Sequence, residues 1–96
     1  MLEAKLEEQI FQTVESLGGM AIKLYSPGVR GRSDRLIILP GGRMFFIEIK
    51  RPGGRGRVSP HQVKFINDVR KLGVPAYVID TFDAFACLIE KIRRPT

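Results

Sequence analysis

Residues 34–50 of this 96-residue chain decide the fold, and they read DRLIILPGGRMFFIEIK. The two outer runs, residues 34–39 and 44–50, are rich in β-branched, aromatic and other large apolar side chains, which favours strands. Between them stands the sequence Pro-Gly-Gly-Arg, whose residues are typical of a tight turn. The segment therefore predicts a β-hairpin.

The length of the turn decides which residues of the hairpin face each other. If residues 40–42 form a three-residue loop, Asp34 lies directly across from Glu48. If only residues 41–42 form the turn, the register shifts by one residue and Asp34 faces the other side of the sheet. We favour the longer loop, because three-residue loops prefer glycine at their left-handed third position, which Gly42 supplies.

Apolar spacing and turn residues on both sides of the hairpin predict five further elements. Apolar residues recur at helical spacing over residues 2–17, and a Ser-Pro-His-Gln sequence at 59–62 is typical of a helix start. In chain order we predict helix 2–17, strand 20–25, strands 34–39 and 44–50, helix 60–72, strand 76–79 and a final helix capped by Thr81. This α-β-β-β-α-β-α order predicts an α/β fold, with a mixed sheet flanked by helices, in a single domain over residues 1–96.

The positive charge of the chain is concentrated around the hairpin. The formal net charge is +6, and residues 30–57 hold eight basic side chains against two acidic ones, which accounts for the whole surplus. Such an arginine field is typical of proteins that bind a polyanion such as a nucleic acid, and solubility alone is the alternative. The residues that we expect to contact nucleic acid are Arg30, Arg32, Arg35, Arg51, Arg55 and Arg57.

Composition excludes several classes of protein and of site. With 44% hydrophobic and 27% charged residues, the sequence is neither a disordered tail nor a coiled coil, and no apolar run approaches the ~20 residues of a membrane span. One cysteine, Cys87, excludes an internal disulfide and a cysteine-based zinc site, and one histidine, His61, excludes a multi-histidine centre. We therefore expect a reducing, cytoplasmic location and a metal held by oxygen, Mg²⁺ or Mn²⁺.

Two acids and a lysine within the basic window indicate a chemistry. Glu48 and Lys50 share one strand face because side chains alternate along a strand, and the longer loop brings Asp34 opposite Glu48. Two converging carboxylates can hold a hard divalent cation, and a neighbouring ammonium group can stabilise charge that develops at a phosphate. The pattern indicates metal-dependent hydrolysis of phosphodiester bonds. A solvated charge pair beside a turn-forming aspartate is the structural alternative.

The chain also resembles a known nuclease superfamily in an ordered set of motifs. These are a glutamate-bearing first helix followed by Gly18-Gly19, then Ser26-Pro27-Gly28, Gly31-Arg32-Ser33-Asp34, Glu48-Ile49-Lys50 and Ser59-Pro60-His61-Gln62. The set resembles the PD-(D/E)XK superfamily, and more closely its small stand-alone VRR-NUC nucleases, which are typical of phages and prophages. The family usually has proline before the catalytic aspartate. Ser33 stands at that position here, which puts the placement of Asp34 in question.

The resemblance implies a restriction-endonuclease-like fold and an endonuclease activity on DNA that needs Mg²⁺ or Mn²⁺. In such a fold Asp34 and Glu48 would bind the metal with help from the Ile49 carbonyl, and Lys50 would be the catalytic lysine. Aligning the first helix with the family pattern selects Glu7 as a further acid of the site, with a solvated helix glutamate as the alternative. Family members commonly act on branched or flapped DNA, and the compact forms resemble junction resolvases that work as homodimers.

Gln62 has two competing roles. As the third residue after Ser59 it would complete a capping box, whereas the resemblance directs it toward Lys50 in the site. The nuclease hypothesis also has competitors from other classes. One is a non-catalytic nucleic-acid-binding module that uses residues 51–57, which leaves Asp34 and Glu48 unexplained. Another is an interaction protein whose basic patch meets an acidic partner.

Overall fold

The computed structural model describes residues 3–24, 34–50 and 60–93 of the chain. The elements within these ranges follow the predicted α-β-β-β-α-β-α order and differ from the prediction only at their ends. They are α1 Glu3–Ser16, β1 Met20–Lys23, β2 Asp34–Leu39, β3 Arg43–Ile49, α2 Pro60–Lys71, β4 Ala76–Ile79 and α3 Phe82–Arg93.

The four strands form one mixed sheet in the order β1-β2-β3-β4. The first three strands are antiparallel neighbours, and β4 runs parallel to β3. A parallel neighbour requires a crossover connection, and α2 lies in the connection between β3 and β4. The predicted α/β class and the mixed sheet are therefore confirmed.

The hairpin adopts the register of the three-residue loop. Leu39 is paired with Arg43, and Asp34 is paired with Glu48 at the far end of the two strands. Gly41 and Gly42 have φ angles of 89° and 77°, a conformation that other residues enter only at a cost, because their Cβ atoms clash with the backbone. The Pro-Gly-Gly sequence thus fixes the register on which the site depends.

One face of the sheet carries the hydrophobic core. Every second residue of β2 and β3 points to this face, where the strands pack against α1 and α3. The first helix contributes residues at four-residue spacing, as a helix with one apolar stripe should. The buried cluster is Leu6, Ile10, Val14, Ile37, Leu39, Phe45, Ile47, Ile49, Ile79, Phe85 and Ile89.

The remaining helix, α2, lies on the opposite face of the sheet. The Phe65 ring packs edge-on against the ring of Phe46 in β3, with 5.3 Å between the ring centroids. Thr81 caps α3 as predicted, since its Oγ1 accepts a hydrogen bond of 3.1 Å from the Ala84 N–H. No helix in the three described ranges is long and apolar enough to cross a membrane.

Candidate active site

The candidate site lies at the end of the hairpin that is farthest from its turn. Asp34 is the first residue of β2, and its Cα is paired with that of Glu48 near the end of β3. Residues directly opposed in an antiparallel pair lie on the same face of the sheet, so both acids lie on the face that α2 partly covers. The side chain of Asp34 is outside the described part of the structure, and its convergence with Glu48 stays a prediction.

Glu48 is buried although it is an acid in a strand. Its side chain is only 2% exposed, and its Oε1 accepts a hydrogen bond of 2.5 Å from Nε2 of Gln62. A carboxylate taken out of water is stable only with polar partners, and the first turn of α2 supplies one here. The α2 crossover therefore places an amide directly over the strand that carries Glu48.

Lys50 completes a three-residue network with Glu48 and Gln62. The lysine Nζ donates a hydrogen bond of 2.9 Å to Oε1 of Gln62 and lies 3.3 Å from Oε1 of Glu48. The backbone N–H of Lys50 donates to the Ile79 carbonyl at 2.8 Å, which holds this residue in line with β3 beside β4. The Gln62 amide thus bridges a carboxylate and an ammonium group.

The side chain of Gln62 lies in the site. Both ends of its amide contact residues at the end of β3. Ser59, the other member of the proposed capping box, lies outside the described residues. The expected approach of Gln62 to Lys50 is therefore observed, whereas its part in catalysis stays a prediction.

One oxygen of Glu48 is left for a ligand. Its Oε2 is buried and has no hydrogen-bond partner in the described part of the structure. A buried carboxylate oxygen without a partner is costly, and a hard divalent cation is the kind of ligand that satisfies it. With Asp34 opposed in register and the Ile49 carbonyl next in the chain, these residues fit Mg²⁺ or Mn²⁺. The described residues contain no group of three or more His, Cys, Asp or Glu side chains that could form an alternative metal centre.

Glu7 and Arg35 form an ion pair between α1 and β2. The Arg35 side chain is only 2% exposed, and its guanidinium carbon lies 5.0 Å from the centroid of the Phe11 ring. The expectation that Arg35 contacts nucleic acid therefore needs correction, because a buried guanidinium on the core face of the sheet offers no surface to a phosphate. Because side chains alternate along a strand, the residue after Asp34 lies on the face opposite to the site, and Arg35 is therefore directed to the core.

The other expected nucleic-acid contacts fall on parts of the chain that the structure does not describe. They are Arg30, Arg32, Arg51, Arg55 and Arg57, which belong to residues 25–33 and 51–59. Ser33, the departure from the family pattern, lies in the first of these segments. Contact of these arginines with nucleic acid stays a prediction.

Comparison with known proteins identifies the class of this fold and site. The family model of the VRR-NUC domain matches residues 2–83. A solved structure described as a VRR_NUC domain superposes with a TM-score of 0.79 at 33% identity, covering 92% of this chain and 94% of that one. The chain is thus a nuclease domain, as its sheet and its Glu-x-Lys strand suggest.

More particularly, the chain belongs to the VRR-NUC family. It is 36% identical over 86 residues to the protein named "Putative nuclease p44" of Acyrthosiphon pisum secondary endosymbiont phage 1, and the match covers 90% of each chain. The resemblance in the sequence motifs is thereby confirmed.

Proposed function

We propose that this protein is an endonuclease that requires Mg²⁺ or Mn²⁺, hydrolyses phosphodiester bonds of branched DNA, and works as a homodimer. One observation carries the metal dependence. The buried Glu48 has one oxygen bound by Gln62 and a second oxygen without a partner in the described residues, at the end of the hairpin that bears Asp34.

The residues of the site divide the work between them. Asp34, Glu48 and the Ile49 carbonyl would hold the cation, which when bound supplies Lewis acidity and lowers the pKa of a coordinated water. The Lys50 ammonium group would donate to a phosphate oxygen on which negative charge develops during attack. Gln62 orients Lys50 and Glu48 relative to each other through its two hydrogen bonds. Glu48 and Lys50 are thus held in place before the substrate arrives.

DNA would be recruited by the arginines on both sides of the hairpin. Residues 25–33 directly precede Asp34, and residues 51–59 directly follow Lys50. Both basic segments are therefore connected to the hairpin at the end that bears the site. Arg30, Arg32, Arg51, Arg55 and Arg57 would neutralise backbone phosphates. Because these contacts are to phosphates, the affinity for DNA should fall steeply as the salt concentration rises and should depend little on base sequence.

A homodimer follows from the chemistry of a branched substrate. One chain offers one candidate site, whereas cutting two strands symmetrically requires two sites related by a two-fold axis. In the described part of the structure, the face of the sheet that carries Glu48 also has an open apolar half at β1. Met20, Ile22 and Met44 are 58%, 36% and 46% exposed there, next to the half-buried Leu36 and Ile38.

We propose that this open half-face binds a second copy of the chain. Its five residues are all apolar, and such a patch suits a protein surface better than a polyanion. On this face of the sheet, the pair that follows Leu36–Phe46 is Asp34–Glu48, so the patch borders the site. A two-fold contact on it brings the two sites close to each other.

The decisive experiment measures cleavage of labelled four-way junctions, flaps and linear duplexes with Mn²⁺, with Mg²⁺ and with EDTA. We expect cleavage only with a divalent cation and faster on branched DNA. Lys50→Ala and Glu48→Gln should reduce the cleavage rate at least about 100-fold while DNA affinity stays near that of the wild type, because the arginines supply the binding.

The matched control is Lys64→Ala, which removes an exposed lysine of α2 that pairs with Asp68 at 2.7 Å. This variant should cut at the wild-type rate. Cation-independent binding without cleavage of any substrate would instead support the non-catalytic binding module. Equal cleavage of RNA would revise the substrate, and cleavage in EDTA would remove the metal site.

A further inference from the structure

The ion pair between Glu7 and Arg35 lies on the other side of the sheet from the network of Gln62. Arg35 is paired in register with Ile47, whose side chain belongs to the core between the sheet and α1. Glu48, by contrast, contacts Gln62 of α2 on the opposite face. The carboxylate of Glu7 is therefore engaged with a cation across the sheet from Glu48.

We infer that Glu7 and Arg35 are a positioning pair that fixes the start of β2, where Asp34 lies, and that Glu7 is not a ligand of the metal. This inference rests on the proposed nuclease function. It assigns to Glu7 a role different from the one implied by the family resemblance, in which this acid reaches the metal site directly.

The physical basis is the burial of the pair beside the first residue of the strand. Arg35 is 2% exposed and lies over the Phe11 ring, while Glu7 is 24% exposed, so this carboxylate supplies part of the compensation that the buried guanidinium needs. Removing Glu7 takes away part of the compensation of the buried guanidinium, and the surrounding structure must adjust. Arg35 and Asp34 share a peptide bond, so such a shift reaches Asp34 directly.

A small displacement of Asp34 matters for the reaction. Misplacing a catalytic group by about 1 Å can reduce a rate by about 100-fold even when the altered residue is remote from the chemistry. A positioning pair acts as one unit, so losing both members should cost no more than losing one. A metal ligand, in contrast, acts independently of a neighbouring arginine.

The test compares Glu7→Gln, Arg35→Gln and the double variant by NMR in the metal-free protein. We expect each single variant to shift the backbone amide resonance of Asp34, and the double variant to shift it no further. Asp68→Asn is the control, because Asp68 forms an exposed ion pair with Lys64 that lowers the pKa of its carboxyl group, and it should leave Asp34 unmoved. An unmoved Asp34 amide in the single variants, or additive shifts, would overturn the inference.

Kinetics and Mn²⁺ binding supply the second readout. Both single variants should lower kcat by about 10- to 100-fold with KM for DNA within about two-fold, and Arg35→Lys should recover part of the loss. Mn²⁺ affinity, measured by electron paramagnetic resonance, should change equally in the two single variants. If Glu7→Gln alone weakened Mn²⁺ binding, Glu7 would be a ligand and the inference would be wrong.

The two proposals can fail separately. A wild-type protein that neither binds Mn²⁺ nor cuts DNA would end the proposed function. The amide shifts of Asp34 would still decide whether Glu7 and Arg35 fix the start of β2. If Arg35→Gln does not fold, Glu7→Gln alone decides the inference, through the Asp34 amide resonance and the Mn²⁺ affinity.

Discussion

The Gln62 side chain carries out two tasks with one amide. Its Nε2 donates to Oε1 of Glu48, and its Oε1 accepts from Nζ of Lys50. Only this orientation is chemically consistent, because a carboxylate accepts hydrogen bonds and an ammonium group donates them. The amide therefore keeps the buried carboxylate and the partly buried ammonium group at a fixed separation.

Replacing Gln62 by leucine should affect both catalysis and folding. The variant keeps the size of the side chain but leaves Glu48 and Lys50 without their common partner. We expect kcat to fall about 10- to 100-fold with little change in KM for DNA, and the free energy of unfolding to fall by about 1–3 kcal/mol. Cleavage kinetics and urea unfolding measure the two effects. Gln12→Leu, which removes an exposed amide of α1, should change neither.

Unchanged kinetics in Gln62→Leu would mean that this residue only supports the packing of α2. A loss of DNA binding without a loss in kcat would assign it to the substrate groove. Either result contradicts the bridging role that its two hydrogen bonds suggest.

Individual residues of the site were predictable where strand periodicity applies and were mispredicted where it was not used. Alternation put Glu48 and Lys50 on one face, and the structure joins them through Gln62. Arg35 was grouped with the other arginines by charge alone, although the same alternation puts the neighbour of Asp34 on the core face. Its contact with Glu7 is long-range, and no local pattern in the sequence specifies that pairing.

At the scale of the elements, the hairpin shows why local turn chemistry can predict a site. Two registers were open, and they differ by one residue, which reverses the face of every side chain in a strand. The pairing of Leu39 with Arg43 shows that the whole Pro-Gly-Gly sequence forms the loop. The pairing of β1 with β2 depends on long-range packing, so its register was not predicted.

The junction between α1 and β1 sets a packing limit that is testable by substitution at Gly19. A Cβ atom at Gly19 would lie 2.6 Å from the Ile38 carbonyl oxygen and 3.1 Å from Cγ1 of Val14, so the backbone would have to move. We expect Gly19→Ala to lower the free energy of unfolding by about 1–3 kcal/mol, as overpacking does. Chemical denaturation monitored by circular dichroism measures this change.

Gly41→Ala is the matched comparison for Gly19→Ala. A Cβ atom at Gly41 meets nothing within 4 Å, so only the left-handed backbone conformation opposes the change, at about 1 kcal/mol. If Gly19→Ala were as stable as the wild type, the close approach of β1 to the rest of the sheet would be wrong. A loss at Gly19 no larger than that at Gly41 would mean that the close contacts around Gly19 relax at little cost.

At the scale of the whole molecule, the sheet separates two kinds of surface. One face is sealed by α1 and α3 and supplies the buried core. The other face is shared between α2, which covers Glu48 through Gln62, and the open apolar half around Met20 and Met44. Among the described residues, the site therefore lies at the border between a covered and an uncovered half of the same face, next to the surface proposed to bind a second subunit.

This arrangement predicts how the oligomeric state responds to substitution. Light scattering after gel filtration should give the wild type twice the chain mass of 10.8 kDa. Met44→Lys and Met20→Lys should give monomers, because each puts a charge into an apolar contact that a two-fold axis repeats. The control is Leu72→Lys, since Leu72 is 82% exposed in the turn after α2 and lies outside the open half-face.

The same variants connect the dimer to the reaction. A monomeric Met44→Lys protein should still nick one strand of a junction, because its own Asp34, Glu48 and Lys50 are intact, but it should no longer cut both strands within one binding event. Cleavage of a supercoiled plasmid that carries a cruciform separates the two products as open circles and linear molecules. A monomeric wild-type protein would remove the proposed subunit contact. A Met44→Lys variant that stays dimeric and still yields linear product would place that contact elsewhere on the molecule.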